Sequence, residues 1–254
     1  MSSMTIRNNG LYNSYSHISS GKRINSAADD AAGLAIAQKL QKQEKGLNVG
    51  AQNAKDAMGV MNVADGALDG IMDQLQRIRE LGVKSMNGLY SESDRAMYQR
   101  EIDGLKEGIQ SLAKNTTLNE QNLLDGSMAD MHLATNPDGG GMQIRMTNST
   151  LEALGIADFD VTSGNFDLSA IDKAMEKVSG QRSAMGAYTN RLEHTYNYNT
   201  ASYLEQSGAR SRIEDLDMPK AISDKKKEEL MDQYRSLMLR RQMDQESMIT
   251  RMFS

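Results

Sequence analysis

The chain has no cysteine and no tryptophan, only three phenylalanines and only two prolines. Without cysteine there is no disulfide, no thiolate nucleophile and no thiolate metal ligand. The three histidines, His17, His132 and His194, lie far apart, and no His-Glu-x-x-His pair occurs. That pair would set two imidazoles on one helical turn for zinc, so the metallohydrolase signature is missing. The glycine runs lack a following Lys-Ser or Lys-Thr, and no serine sits in a nucleophile-elbow context. An enzyme is therefore unsupported, and neither a metal nor a cofactor is expected. A net charge of −5 with both signs interspersed gives no nucleic-acid surface. No apolar run is long enough to span a bilayer, so no membrane insertion is expected. The N-terminus also lacks the charged-then-apolar layout of a cleaved signal.

What is present points to helices. The 254 residues suffice for a core, but the hydrophobic share is only 39%. Such a composition suits an elongated helical body. Nineteen methionines serve most simply as adaptable filler at helix interfaces. With only Pro137 and Pro219 to break them, helices can be long.

From Leu47 the apolar positions run Ala51, Ala54, Met58, Met61, Ala64, Leu68, Ile71, Leu75 and Ile78. Steps of three and four predict a helix with one buried stripe, and its alanines admit a close neighbour. Ser85 to Tyr90, containing Asn87-Gly88, predicts a turn. Ser91 with Asp94 predicts a helix start. Tyr98, Ile102, Leu105, Ile109 and Leu112 then carry a second stripe, completing an antiparallel helical hairpin.

The stretch 115–127 is polar and irregular. Met131, Leu133 and Thr135, then Met142, Ile144 and Met146, alternate with polar or small residues across a Pro/Gly turn, which predicts a β-hairpin near 129–147. Gly139-Gly140-Gly141 reads as a loose turn. Ser149 with Glu152 suggests a capping box for a short helix. A last long stripe runs Leu168, Ile171, Met175, Val178, Met185, Leu192, Tyr196 and Tyr203, interrupted by Arg182, Thr189 and Asn199. None of these stripes is stable alone, so they must face one another. The predicted fold class is mainly α: a rod of long antiparallel helices with one β-hairpin and a short helix, plus terminal helical segments.

Two blocks near opposite ends resemble the terminal signatures of bacterial flagellin. One runs from Ser19 to Ala37 and includes Ser20, Gly21, Arg23, Ile24, Asn25, Asp29, Asp30 and Gly33. The other runs from Ala209 to Met218 and includes Arg212, Ile213, Glu214 and Asp215. Between them, Leu75 to Leu81, Gly186 to Leu192 and Asn122 to Gly126 also resemble flagellin segments. The resemblance implies a short flagellin without outer domains. It divides the chain into an N-terminal tube-forming segment (1–24), a core domain (25–212) and a C-terminal tube-forming helix (213–254). It implies a structural subunit of the extracellular filament, supporting motility and exported through the flagellar channel without a cleaved signal. The implied partners are other flagellin subunits, the flagellar export chaperone, the filament cap and, for the monomer, the vertebrate Toll-like receptor for flagellin. By the same resemblance, Arg77, Ile78, Arg79, Glu80, Leu81 and Glu101 form the receptor-binding and subunit-interface patch. By position alone, Arg77 and Arg79 are simply solvated residues off the stripe.

The ends depart from the family pattern. The segment before Ser19 is short, and Asn8-Asn9-Gly10 and Asn13-Ser14 are turn formers. The tail carries Lys225-Lys226-Lys227-Glu228-Glu229 and Arg240-Arg241 where the family is rich in Ala, Gln and Leu. Leu230, Tyr234, Leu237, Met248 and Met252 still suggest an amphipathic helix, broken or started near Pro219. The closing apolar residues are partly mimicked by Ile249, Met252 and Phe253. One reading is a divergent filament subunit. The alternative is a minor or non-polymerising flagellin, or a filament-junction protein, acting mainly as a surface or receptor-binding protein.

Overall fold

The computed structural model describes residues 13–128, 130–163 and 166–252. The fold is mainly α, with long helices and two small antiparallel hairpins. In order these are α1 (13–20), α2 (Ala31–Ser85), α3 (Glu92–Asn115), β1 (Thr117–Leu118), β2 (Gln121–Asn122), β3 (Asp130–Ala134), β4 (Gly141–Arg145), α4 (Leu151–Leu154), α5 (Ser169–Glu214) and α6 (Met218–Met252). The chain divides into two compact units. One is Lys45–Tyr203; the other combines the segments up to Glu44 and from Leu204 onward.

In the Lys45–Tyr203 unit, the predicted stripe of α2 is the spine of the core. Ala54, Met61, Ala64, Leu68, Ile71, Leu75 and Ile78 are fully shielded. They pack in one cluster with Ile102 and Ile109 of α3 and with Ile171, Val178, Met185 and Leu192 of α5. Alanines at positions 54, 57 and 64 let backbones approach, while the larger residues fill the remaining volume. The turn between α2 and α3 falls where Asn87-Gly88 requires it. Ser91 caps α3 in a reciprocal box with Asp94, and the bonds from Ser91 hold the Asp94 carboxyl below its usual range.

The expected β-hairpin forms as β3–β4, with Met131 opposite Ile144 and Leu133 opposite Met142. Ile144 and Met142 face the core. The turn is not loose. Asn136 N–H donates to Gly140 O at 2.9 Å, and Gly139 N–H donates to Asn136 O at 3.1 Å. The hairpin end is also docked. Asn53 of α2 donates to Ala134 O at 2.7 Å, and the buried Asn199 of α5 donates to Thr135 O at 2.8 Å. Gly50 permits this approach, since a Cβ there would lie 2.1 Å from Thr135 O.

Three local expectations are corrected. The irregular stretch 115–127 contains the β1–β2 hairpin, whose turn residues Asn119 and Glu120 both have positive φ. Its tail buries Leu123 and Leu124. The short helix α4 is capped by Thr150, which accepts from Ala153 N–H. Ser149 is instead buried, with its hydroxyl on Gln181 at 2.8 Å. Finally, Asn13 and Ser14 lie inside helix α1. Asn8, Asn9, Gly10 and Phe253 lie outside the described residues. Pro219 starts α6 and does not break it: it occupies the first turn, where no N–H partner is required.

Replacing Gly50 by Ala should drive a methyl group into the Thr135 carbonyl. The expected cost is roughly 1–3 kcal/mol, read as a lower denaturant midpoint. Gly59, where an added Cβ meets nothing within 4 Å, provides the control: Gly59→Ala should be neutral or stabilising by up to about 1 kcal/mol.

Candidate functional site: a clasp between the chain ends and a charged patch

The two signature blocks meet in the unit built from both ends of the chain. After α1, Gly21 takes a left-handed backbone (φ 68°) that redirects the chain. Residues 21–23 then run antiparallel to 214–216. Leu216 N–H donates to Gly21 O at 2.9 Å, and Arg23 N–H donates to Glu214 O at 2.7 Å. The Arg23 guanidinium adds a bond to Ile213 O at 2.6 Å. Each end thereby satisfies backbone groups of the other.

Below this ladder lies an ion cluster. Glu44 and Glu214 are both buried. Arg210 reaches Glu44 at 2.9 Å and Glu214 at 3.3 Å. The Lys22 ammonium donates to the other Glu214 oxygen. Two carboxylates removed from water are thus matched by two cations, the arrangement in which burial of charge is tolerated.

The remaining signature residues shape the loop into α2. Asp29 accepts from the backbone N–H groups of Asn25 at 3.0 Å and Ser26 at 2.8 Å. Those bonds, Ser26 first, hold its carboxyl below the usual carboxylate range. Asp30 caps α2, accepting from Gly33 N–H at 2.8 Å. Ile24 is buried, and a Cβ at Gly33 would lie 2.7 Å from its Cδ1. Ser20 donates to the Asn25 side chain at 2.8 Å. Ser211 and Asp215 bond one another, and Arg212 is exposed. The clasp therefore unites Ser20, Gly21, Arg23, Ile24, Asn25, Asp29, Asp30 and Gly33 with Ile213, Glu214 and Asp215.

Of its central members, Lys22 and Arg210 lie within the two signature blocks but had no role assigned from sequence, and Glu44 lies outside both blocks. A signal existed for Glu44. It continues the stripe Ala37, Leu40, Leu47 at steps of three and four, and a charge on a buried stripe calls for a partner. The partner was not legible, because it lies 166 residues away.

In the Lys45–Tyr203 unit, the predicted patch divides into two layers. Arg77, Arg79, Glu80 and Glu101 are on the surface, whereas Ile78 and Leu81 are core residues. Ile78 and Leu81 support the patch from beneath and do not offer a contact surface. Arg77 bonds Glu101 at 2.7 Å and Glu80 at 3.0 Å. These carboxylates, Glu101 first, raise the guanidinium above its ordinary value. Arg79 bonds Asp172 of α5 at 2.6 Å. Every pair in the patch is half-exposed, so each contributes little to stability. Its value is a fixed array of alternating charge.

Among the described residues, no group of three or more His, Asp or Glu is placed to hold a metal. None of their helices is long and apolar enough to cross a membrane.

The fold is that of a long-helix protein in which the two signature blocks are clasped together. Comparison with known proteins makes this specific. Residues 1–129 match the bacterial flagellin N-terminal helical region, and residues 168–252 match the C-terminal helical region. The chain belongs to the bacterial flagellin family. It is 38% identical to a flagellin of Halalkalibacterium halodurans over 87% of this chain and 84% of that protein. It is 35% identical to the flagellar filament 33 kDa core protein of Treponema phagedenis over 87% and 85%. A flagellin of Bacillus subtilis is 34% identical over 87% and 86%. Among solved structures, Bacillus cereus flagellin aligns with a TM-score of 0.52 at 25% identity, over 58% of this chain and 88% of that one. A putative flagellar hook-associated protein of Vibrio parahaemolyticus shares the fold, with a TM-score of 0.59 at 17% identity over 74% and 100%. Family membership makes the chain a structural filament subunit and not an enzyme.

Arg210→Met should leave Glu44 without its cation and cost about 3–5 kcal/mol in unfolding free energy. Removing both charges, as Arg210→Met with Glu44→Leu, should cost less than the single change. A single-variant loss below about 0.5 kcal/mol would instead class the cluster with solvated surface pairs.

Proposed function

We propose that this chain polymerises through its terminal segments, 1–24 and 213–254, which form the inner tube of the filament. The core helices then stack along the fibre, and the subunit reaches its position through the flagellar channel with an export chaperone and a filament cap. The observation that carries this reading is the apolar surface left on α6. Leu230, Met231, Tyr234, Leu237, Met238, Leu239, Met243 and Met248 are all exposed. Eight exposed apolar side chains on one helix supply contact area for another chain. Heterologous contacts between identical subunits give open fibres.

The lysine cluster modulates assembly. Lys225 lies 3.9 Å over the Tyr15 ring and 3.5 Å from Glu229. Ser14 and Tyr15 of α1 bond Glu228 and Glu229. Part of the charge is thus balanced within the chain, which leaves Lys226 and Lys227 to repeat in each subunit. Filament growth should be slow at low ionic strength and faster with salt, as like charges are screened. Sedimentation and electron microscopy after seeding check this. Long stable filaments in low salt would show that the charged tail is harmless. No polymer under any salt would favour the alternative, a minor or junction protein.

The monomer also presents the Arg77 array, which we propose as the surface taken by the vertebrate Toll-like receptor for flagellin. Arg77 is held by Glu80 and Glu101 in one orientation, so a partner meets an ordered guanidinium. Arg77→Ala should weaken receptor binding by roughly 1–3 kcal/mol. Arg79→Ala serves as the second probe, because truncating the buried Leu81 would disturb the core. Unchanged affinity in the Arg77→Ala, Arg79→Ala double variant would reject this assignment.

A further inference from the structure

We propose that the methionines exposed on α6 between Leu230 and Met248 form an oxidant-sensitive modification site that controls self-association. The inference rests on the reading of α6 as an assembly surface and adds its chemical regulation. Four thioethers, Met231, Met238, Met243 and Met248, supply half of the eight exposed apolar side chains between Leu230 and Met248. Met243 and Met248 are 66% and 68% exposed, whereas Met61 and Met185 of the core are 0% and 1% exposed. Thioether oxidation follows access, so the two groups are kinetically separate. The chain has no cysteine, so no thiolate competes for a two-electron oxidant.

The chemistry is an oxygen transfer. Hydrogen peroxide passes one oxygen atom to Sδ and leaves as water. The thioether loses two electrons and becomes a sulfoxide. Two thiols reverse the step, forming one disulfide and one water. The product is polar where the reactant was apolar. An apolar helix surface is thereby converted into one that prefers water, with no change in net charge. Leucine at the same positions would give an equivalent apolar surface without the chemistry, since Leu and Met exchange with little change in volume. Met86 and Met97 are also exposed, but lie in the Lys45–Tyr203 unit. They provide an internal comparison.

The test treats the full chain with hydrogen peroxide, maps sulfoxides by peptide mass spectrometry and measures polymer by sedimentation. Met243 and Met248 should be oxidised ~10-fold or more faster than Met61 and Met185. The critical concentration for polymerisation should rise on the order of ten-fold as apolar area is lost. A variant with Leu at 231, 238, 243 and 248 should polymerise and resist peroxide. A variant with Leu at 86 and 97 should remain sensitive. Equal oxidation of buried and exposed methionines, or undiminished sensitivity of the four-leucine variant, would overturn the inference. So would polymerisation that survives oxidation of α6, with the assembly reading intact. An untreated chain that never polymerises would instead remove the assembly reading itself, and this inference with it.

Discussion

The buried stripe of α2 is the constraint to which the Lys45–Tyr203 unit answers. The composition gives few large apolar residues, and only three phenylalanines among 254 positions. A core built from so little must be thin and closely packed. Alanines at 54, 57 and 64 provide that closeness, while Leu68, Ile71, Leu75 and Ile78 provide bulk further along the same face. The neighbouring stripes of α3 and α5 are complementary because each contributes only one face. None of these helices would hold its shape alone. Their stability is therefore a property of the assembly of helices, and small changes of volume along α2 are felt by every neighbour.

Polar residues on these stripes set which neighbour goes where. Arg182 interrupts the α5 seam and meets Asp65 at 3.0 Å and Asp69 at 2.6 Å on α2. Those carboxylates, Asp65 first, hold its charge. Asn199 interrupts the same seam and fixes the hairpin through Thr135 O. Glu44 plays the corresponding part in the other unit through Arg210. A purely apolar seam could slide by a turn. A seam carrying the buried Asn199 or Glu44 cannot slide without leaving that group unpaired in a dry site, which is costly, whereas the more exposed Arg182 cluster adds only a weaker preference.

The long-period features of the fold were legible because they depend on local spacing. The α2 and α3 stripes, the Ser91 cap and the Met131/Ile144 alternation all follow from residues within a few positions of one another. The failures are short or non-local. The Asn119-Glu120 turn lacks the glycine that normally marks such a hairpin. Ser149 with Glu152 is the better cap by sequence, but its hydroxyl is taken by Gln181 on α5 and the cap falls to Thr150. Asn13 and Ser14 are poor helix formers, yet α1 forms where it can bond Glu228 and Glu229 on α6. In the clasp, the signature residues were found by resemblance, but their division of labour was not. Which carboxylate meets Arg210 depends on a partner distant in sequence, and no local pattern carries that information. The patch was legible as a set of charges, but not as two layers with Ile78 and Leu81 underneath.

The clasp joins residues 190 and 192 positions apart, through Arg23 with Ile213 and Lys22 with Glu214. Contacts of that span close late, since the intervening chain must first be brought together. A chain emerging from the ribosome, or through any narrow passage, cannot make them until almost its whole length is free. A copy truncated before Arg210 has every residue of the central core but no counter-ion for Glu44 and no strand for residues 21–23. The clasp thus acts as a check written into the fold: only a chain that extends through Leu216 can settle the charges of Lys22 and Glu44.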